Sequence, residues 1–511
     1  MNRLLPSWLT GHRTVLLALV LLLAAAFVAA GVDDEFVAVP GDLAVSAALA
    51  LVTCYLVSAL GGLLVRVPPG ADSWAITALI LVFVMPPAAD TATTVSLVIA
   101  CAAGCASKYV LAWRRRLIVN PAVAGAVTAY ALAYAGVGEV TFPTWWIASE
   151  QLLWPMAVIG AIVVTVLRRW PLALAFLATA LVTMWIVRET ADGGEISMWL
   201  QSSPLFFVAA IMLPEPLTAP PTRGLRMLYG AGVGALMYCQ QAVEVSDAYT
   251  LEFVPEIALL IGSLFTFAVR LGDGSARRSR LTVTAVESTA DRTHLVRTVP
   301  AGSAPRFRPG QWATVSAPTW SAPLWQRSRR VFSFANAPGQ APEFSFTASD
   351  PASPWKAGLI TGRTTALLLD DIGGDFVPHG RAGAATVMIA SGIGITPMLS
   401  MVRAAGESGQ LAGITLIHVL RATGREVYGD DLRLAREAGA EVHVLIAPEL
   451  AAGTDGFEQL HQLIGEPSPG AHYYLSGTPA FVDAAAAAVR RLDPTLRRNP
   501  LRLHRDSFLG Y

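Results

Sequence analysis

The sequence predicts a multi-domain chain built for two solvents: a ten-helix α-helical membrane domain over residues 1–272, an antiparallel β-barrel over 277–378, and an α/β doubly wound domain over 382–511. Three observations carry that prediction. At 54% hydrophobic and 14% charged, with mean hydropathy +0.51, the 511 residues are too apolar for one water-soluble globule and unlike a disordered or fibrous chain. Charge is unevenly spread: residues 1–270 hold 13 Lys/Arg and 16 Asp/Glu, whereas the other 241 hold 24 and 21. Past about residue 280 the long apolar runs give way to short alternating segments, then to strands alternating with helices. A net charge of zero supplies no basic surface for a nucleic-acid partner.

About 20 apolar residues cross ~30 Å of hydrocarbon. Ten such runs fall at 14–31, 43–64, 67–85, 91–113, 121–137, 151–167, 170–187, 196–213, 224–241 and 254–269. The third and eighth are interrupted by Pro or polar residues and read equally as broken or re-entrant helices. With the N-terminus inside, eleven basic residues fall in cytoplasmic loops: Arg3, Arg13, Arg66, Lys108, Arg114, Arg115, Arg116, Arg168, Arg169, Arg223 and Arg226. Only Arg188 falls outside, where the loops collect acids such as Asp33, Glu35, Glu139, Glu189 and Asp247. Both termini are therefore expected in the cytoplasm. Were the first run a cleaved signal peptide instead, the C-terminal half would keep that side.

Chemistry in the apolar half is restricted. Of eight histidines only His12 belongs to it, which excludes haem held by two imidazoles inside the bilayer. Cys54, Cys101, Cys105 and Cys239 all lie here, so the polar half carries neither a disulfide nor a Cys-ligated iron–sulfur cluster. Cys101 and Cys105, four residues apart, share a helix face; small residues at a helix contact are favoured over metal ligands. Glu215, in Leu-Pro-Glu-Pro at the end of the eighth run, is either a solvated loop residue or an ionisable group at membrane depth, where function is the default reading.

The polar half opens with LTVTAVES, HLVRTV, QWATVSAP, RRVFSFANA and EFSFTAS, the alternation of a small antiparallel barrel or sandwich. Then ATVMIAS, a continuous apolar run of the buried parallel kind, leads into Gly392-Ile393-Gly394-Ile395-Thr396-Pro397. Two glycines let backbone approach a pyrophosphate, and the helix starting near Pro397 offers it unpaired N–H groups and a positive dipole end. Between a buried strand and a helix, this turn signals dinucleotide binding.

These residues resemble the ferredoxin-NADP reductase superfamily, an FAD-barrel plus NAD(P)-domain module, over about residues 277–511. Arg330-Val331-Phe332-Ser333 is similar to its Arg-x-Tyr-Ser motif. The resemblance implies that Arg330 grips the FAD phosphates, Phe332 (in place of Tyr) lies on the flavin, and Ser333 sits near the redox nitrogen. Gln311, in Pro309-Gly310-Gln311-Trp312, falls in the strand that flanks the flavin, and Trp355 and Lys356 fall where the family has a phosphate-binding turn. Gly392, Gly394, Ile395, Thr396 and Pro397 match the nicotinamide-nucleotide turn, and Arg421 the adenosine side. Ser476-Gly477-Thr478-Pro479 is similar to the late Cys-Gly-x-Pro turn, which places Ser476, Gly477 and Pro479 near the nicotinamide. Tyr511 belongs to a terminus resembling the aromatic one that covers the flavin. Ser333 and Ser476 are the implied catalytic residues; no metal is implied.

The apolar half has a resemblance of its own. Asn120-Pro121-Ala122-Val123-Ala124-Gly125 and the Leu213–Thr222 segment around Glu215 look like the B subunit of sodium-translocating NADH:quinone reductase and the D subunit of the Rnf complex, ten-span subunits that carry flavins. Their Ser-Gly-Ala-Thr-like motif for covalent flavin is absent, which leaves a non-covalent FMN or riboflavin between helices. The two resemblances together imply a multi-pass cell-membrane flavoprotein with its reductase module on the cytoplasmic side. It would take electrons from NAD(P)H through FAD into or across the bilayer, to an extracytoplasmic flavinylated acceptor. A membrane quinone as acceptor, or a transporter with an NAD(P)H-sensing module, are the alternatives.

Overall fold

Long apolar runs and short alternating ones fold apart, and the chain divides into two units, Trp8–Asp273 and Gly274–Thr319 plus Ser328–Tyr511. The computed structural model describes residues 11–65, 71–113, 116–190, 203–215, 218–239, 242–246, 249–252, 254–272, 279–288, 292–317, 329–379, 385–421, 428–453 and 457–508.

The first unit is helical: α1 (Gly11–Val32), α2 (Pro40–Val65), α3 (Ala71–Val84), α4 (Thr91–Val110), α5 (Pro121–Tyr134), α6 (Glu150–Val166), α7 (Trp170–Thr190), α8 (Leu205–Phe207), α9 (Arg223–Tyr238) and α10 (Pro255–Gly272). Among the described residues five of these, α1, α2, α4, α6 and α7, are long and apolar enough to cross a membrane. The third and fifth predicted spans are shorter than the apolar runs that announced them. At ~1.5 Å per residue, the 14 residues of α3 and of α5 reach only ~21 Å. α3 stops at Met85-Pro86-Pro87, while α5 starts at Pro121 with Asn120 Oδ1 accepting from Ala122 N (2.9 Å) and Val123 N (3.4 Å). Of the eighth run, the described part is one turn, α8, passing into a π-helical turn Val208–Met212.

Small residues let these helices approach closely. A Cβ on Gly125 would lie 2.3 Å from the Ala100 carbonyl oxygen, so α5 packs its backbone on α4. Between α5 and α6, Thr144 N and Trp145 N both donate to Val84 O at 2.9 Å. This holds Trp145 at φ 50°, a left-handed conformation that costs a bulky residue about 1–3 kcal/mol.

In the second unit six antiparallel strands form one sheet in the order β8-β7-β10-β5-β6-β9. They are β5 (Ser279–Ser288), β6 (Thr293–Pro300), β7 (Trp312–Ser316), β8 (Arg329–Ser333), β9 (Glu343–Thr347) and β10 (Ala366–Gly373), numbered after two short hairpins, β1 (Ala112–Trp113) with β2 (Arg116–Leu117) and β3 (Ala242–Ser246) with β4 (Tyr249–Glu252), in the first unit. A bridge between Phe334 and Phe344 nearly closes the sheet into a barrel around Val315, Phe334, Phe344 and Leu367. Of barrel and sandwich, the chain takes the barrel.

Five parallel strands follow in the order β13-β12-β11-β14-β15. They are β11 (Thr386–Ser391), β12 (Ile414–Leu420), β13 (Glu441–Ile446), β14 (His472–Gly477) and β15 (Leu503–Ser507). The order reverses between β11 and β14, and in an open α/β sheet the crevice beyond the carboxyl ends of such a strand pair is where ligands bind. α12 (Thr396–Glu407) follows β11, α13 (Gly429–Glu437) follows β12, α14 (Pro448–Ala452) and α15 (Phe457–Ile464) follow β13, and α16 (Pro479–Leu492) follows β14, α11 (Pro354–Ile360) having preceded them in the barrel lobe. Barrel and sheet are clamped by Arg403. It chelates Asp431 through Nε and Nη2 (both 2.8 Å) and reaches Glu343 on β9 (2.7 Å) and the Ala335 carbonyl (3.1 Å) through Nη1.

Candidate active site

The two predicted nucleotide turns meet at this switch point. Gly392 opens the first at φ 53°. A Cβ on Gly394 would stand 2.6 Å from Ser476 O and 2.7 Å from Gly477 N, so the turn after β11 lies backbone to backbone on the turn after β14. Pro397 and Pro479 each occupy the first turn of their helix, where a missing N–H is harmless, and Thr478 Oγ1 caps α16 by accepting from Phe481 N at 3.4 Å. Ile395 is buried beneath the turn. Ser476 is wholly buried, and its hydroxyl has no hydrogen-bond partner among the described residues. An unpaired buried hydroxyl costs about 1–3 kcal/mol, a cost that a polar group of a bound dinucleotide would offset. The residues present thus fit an NAD(P)H site.

The Thr396 side chain has partners within the fold. Its Oγ1 donates to Ile393 O (2.7 Å) and meets Ser345 Oγ of β9 (2.7 Å), so the side chain fastens the turn to the barrel. Arg421 is exposed at the end of β12, and Tyr511 lies outside the described residues.

On the barrel, the alternation of β8 turns Arg330 and Phe332 the same way. Val331 is exposed, and Ser333 is buried opposite Trp312. The Arg330 guanidinium stands 5.8 Å from the Trp355 ring centre, and Phe332 packs on Trp355 at 5.6 Å and on Phe346 at 5.9 Å. Phe332 is therefore part of the barrel wall. Lys356 is buried and donates to Thr347 O at 2.7 Å. Burial, then repulsion from Arg330, pushes its ammonium down to about 8. Two cations held this close suit an anion such as a pyrophosphate, so the donor set fits FAD. The Gln311 side chain serves the loop: its Oε1 accepts from Arg308 N (2.8 Å) and its Nε2 donates to Gly374 O (3.2 Å).

Sequence reasoning missed several groups. Asp506 stands in register beside Ser476 on β15, and burial together with Asp375 pushes its carboxyl up to about 7. Next to it along the strand, the His504 ring stacks on His379 (4.4 Å), Tyr474 (4.4 Å) and His472 (5.4 Å). Burial first, then the other two imidazoles, pushes His504 down to about 4. The one available signal was the alternation of His504-Arg505-Asp506 after an apolar position.

In the helical unit the two singled-out motifs meet. Asn120 Nδ2 donates to Glu215 Oε2, Thr218 Oγ1 donates to the same oxygen at 3.3 Å, and Lys108 Nζ holds Ser73 O (3.0 Å) and Oγ (3.1 Å). Ser73, Asn120 and Glu215 line a cavity of about 30 Å³, room for water and far too small for a flavin. Cys54, Cys101 and Cys105 are buried, with Cys54 Sγ 3.7 Å from Cys101 O; among the described residues no group of three or more His, Cys, Asp or Glu is placed to hold a metal.

No family model matches the chain. It is 24% identical over 226 residues to a flavohemoprotein of Deinococcus radiodurans, covering 42% of this chain and 55% of that one. Over 245 residues it is 29% identical to the ferredoxin–NAD(P)+ reductase component of the naphthalene 1,2-dioxygenase/salicylate 5-hydroxylase systems of a Ralstonia species, covering 46% of this chain and 70% of that one. The FAD/NAD-binding domain of a nitric oxide dioxygenase from Vibrio cholerae O1 biovar El Tor superposes with a TM-score of 0.36 at 18% identity, covering 45% of this chain and 98% of that one. The chain spans about half the length of the flavohemoproteins it matches. The C-terminal part of the chain matches the ferredoxin-NADP reductase-like FAD/NAD-binding module.

Proposed function

We propose that this chain is a membrane-bound, FAD-dependent NAD(P)H oxidoreductase that passes electrons into or across the bilayer, to an extracytoplasmic flavin-carrying acceptor. The observation that carries the reading is the pair of turns at the switch point, with the Ser476 hydroxyl, unpartnered among the described residues, between crowded backbones. In this reading the Gly392–Thr396 turn and the start of α12 receive the pyrophosphate of NAD(P)H, and Ser476 orients its nicotinamide. Arg330 and Lys356 hold the FAD phosphates and Ser333 borders the flavin ring. Held by these residues, FAD would supply the conversion of a hydride into single electrons. Asp506, poised near neutrality beside Ser476, holds a proton at the same end of the sheet.

The membrane assignment is supported by five helices of spanning length and by the eleven-to-one distribution of basic residues, which favours ten spans with a cytoplasmic reductase. The likeness of the Asn120 and Glu215 motifs to flavin-carrying ten-span subunits is the ground for a non-covalent FMN or riboflavin as the second carrier, held elsewhere than in the small cavity those two residues line. Quinone as acceptor is the second reading; the hydrogen-bonded, half-buried Glu215 of the helical unit favours it, because quinone reduction takes up protons.

The test uses purified full-length protein in detergent: it should be yellow and should reduce ferricyanide with NADH or NADPH. Absence of both flavin and turnover refutes the assignment. In sealed vesicles, NAD(P)H supplied at the reductase face should reduce an impermeant acceptor trapped on the other side. Reduction of added quinone without any reduction of the trapped acceptor would select the second reading.

A further inference from the structure

A second cleft in the helical unit, of about 360 Å³, lies at the end of α5 and the start of α10. Its walls are Tyr130, Tyr134, Phe142 and Trp145 with two prolines and a valine, and its charged wall group is Glu256. Tyr130 and Tyr134 are one helical turn apart with rings 6.2 Å apart and nearly parallel, and Phe142 meets Tyr130 edge-on at 5.5 Å. Glu256 is 2% exposed, and Trp145 Nε1 donates to its Oε1 at 2.6 Å. Tyr and Trp at helix ends ordinarily anchor in the interface with their polar tips toward headgroups. Trp145, only 6% exposed, instead turns inward onto a carboxylate, from a left-handed backbone that a bulky residue avoids unless its surroundings fix it.

We infer that this cleft binds a quaternary, trimethylammonium-type cation. A buried carboxylate is stabilised by positive charge nearby, and aromatic faces attract a weakly hydrated cation. A primary ammonium would need three acceptors around its protons, whereas a methylated ammonium makes no hydrogen bonds and needs only rings and a counter-charge, which the four aromatic side chains and Glu256 supply. The Trp145 indole fixes one Glu256 oxygen, which keeps the carboxylate at the cleft wall. The same chemistry is offered by a phosphatidylcholine headgroup and by a free solute such as choline.

The experiment titrates choline into the full-length protein in an uncharged detergent by calorimetry, with 3,3-dimethylbutanol, the neutral isostere, as comparison. Choline should bind saturably and the alcohol at least about tenfold more weakly. Glu256→Gln should weaken choline about tenfold or more, and Phe142→Leu should weaken it severalfold, both at unchanged flavin content and ferricyanide turnover. Equal affinity for choline and the alcohol, or unchanged choline affinity in Phe142→Leu together with a folded Glu256→Gln, would overturn the assignment. So would saturable binding of riboflavin with none of choline. In nanodiscs, choline binding suppressed by phosphatidylcholine but not by phosphatidylglycerol identifies the lipid as the source of the cation, and binding in both identifies a free solute.

Discussion

Replacing Gly394 with alanine separates the nucleotide site from the rest of the reductase. The new methyl would sit 2.6 Å from Ser476 O and 2.7 Å from Ser476 C and Gly477 N, all backbone atoms that belong to or flank β14. No side chain can swing away, so one of the two turns must shift by several tenths of an ångström. Overpacking of this kind costs about 1–3 kcal/mol. If that strain is relieved when the turn opens, and reimposed when NAD(P)H draws it closed, affinity falls roughly 5- to 150-fold. The barrel core around Phe334, Phe344 and Leu367 is a separate cluster, so bound flavin should remain. The assay is the KM for NADH or NADPH with ferricyanide as acceptor, alongside visible flavin absorbance per protein. Gly392→Ala is the control in kind: its Cβ meets open space but φ is 53°, so it strains the backbone without a clash. A wild-type KM in Gly394→Ala, or joint loss of flavin and nucleotide binding, would show that the contact is not part of the nucleotide site.

Arg330→Ala should lose FAD and turnover together, because a charge-assisted phosphate contact contributes about 1.5–3 kcal/mol; flavin occupancy equal to wild type after gel filtration would contradict the motif. Ser476→Ala removes a hydroxyl that has no partner among the described residues, so the melting temperature should hold or rise while kcat/KM falls about tenfold; undiminished turnover would remove Ser476 from the site. Asp506 and His504 pull the pH dependence of stability in opposite directions. The His504 contribution is present above pH 6.5 and lost as pH falls toward about 4, whereas the raised Asp506 carboxyl is tolerated at low pH and takes stability away as pH rises from about 4 through about 7. Asp506→Asn should therefore melt a few degrees above wild type at pH 8 and level with it near pH 4, and thermal melts showing the larger gain at pH 4 would reverse the sign of the argument.

The fold of the second unit is legible because its signals are local. Alternation marks β5 to β9, and a continuous apolar run before Gly-x-Gly marks β11. Side-chain destinations are not local: Thr396 follows the nucleotide turn in sequence, yet β9 lies against that turn and Ser345 takes its hydroxyl. The Arg403 clamp joins residues 60 and 28 positions away, and the His379–His504 stack spans 125, so no short-range pattern announces either. In the helical unit hydropathy marks where apolar chain lies but not where a helix ends; Pro86, Asn120 and Pro121 set the ends of α3 and α5. The Asn120 and Glu215 motifs were each visible, but their meeting, across 95 residues, was not.

The main-chain contact between the turns after β11 and β14 also constrains redesign. Neither loop has slack of its own, since each is the floor on which the other rests. An engineer who grafts one of them from another reductase to change coenzyme preference must transplant its counterpart with it, and natural exchange between such enzymes should move the two as a linked cassette.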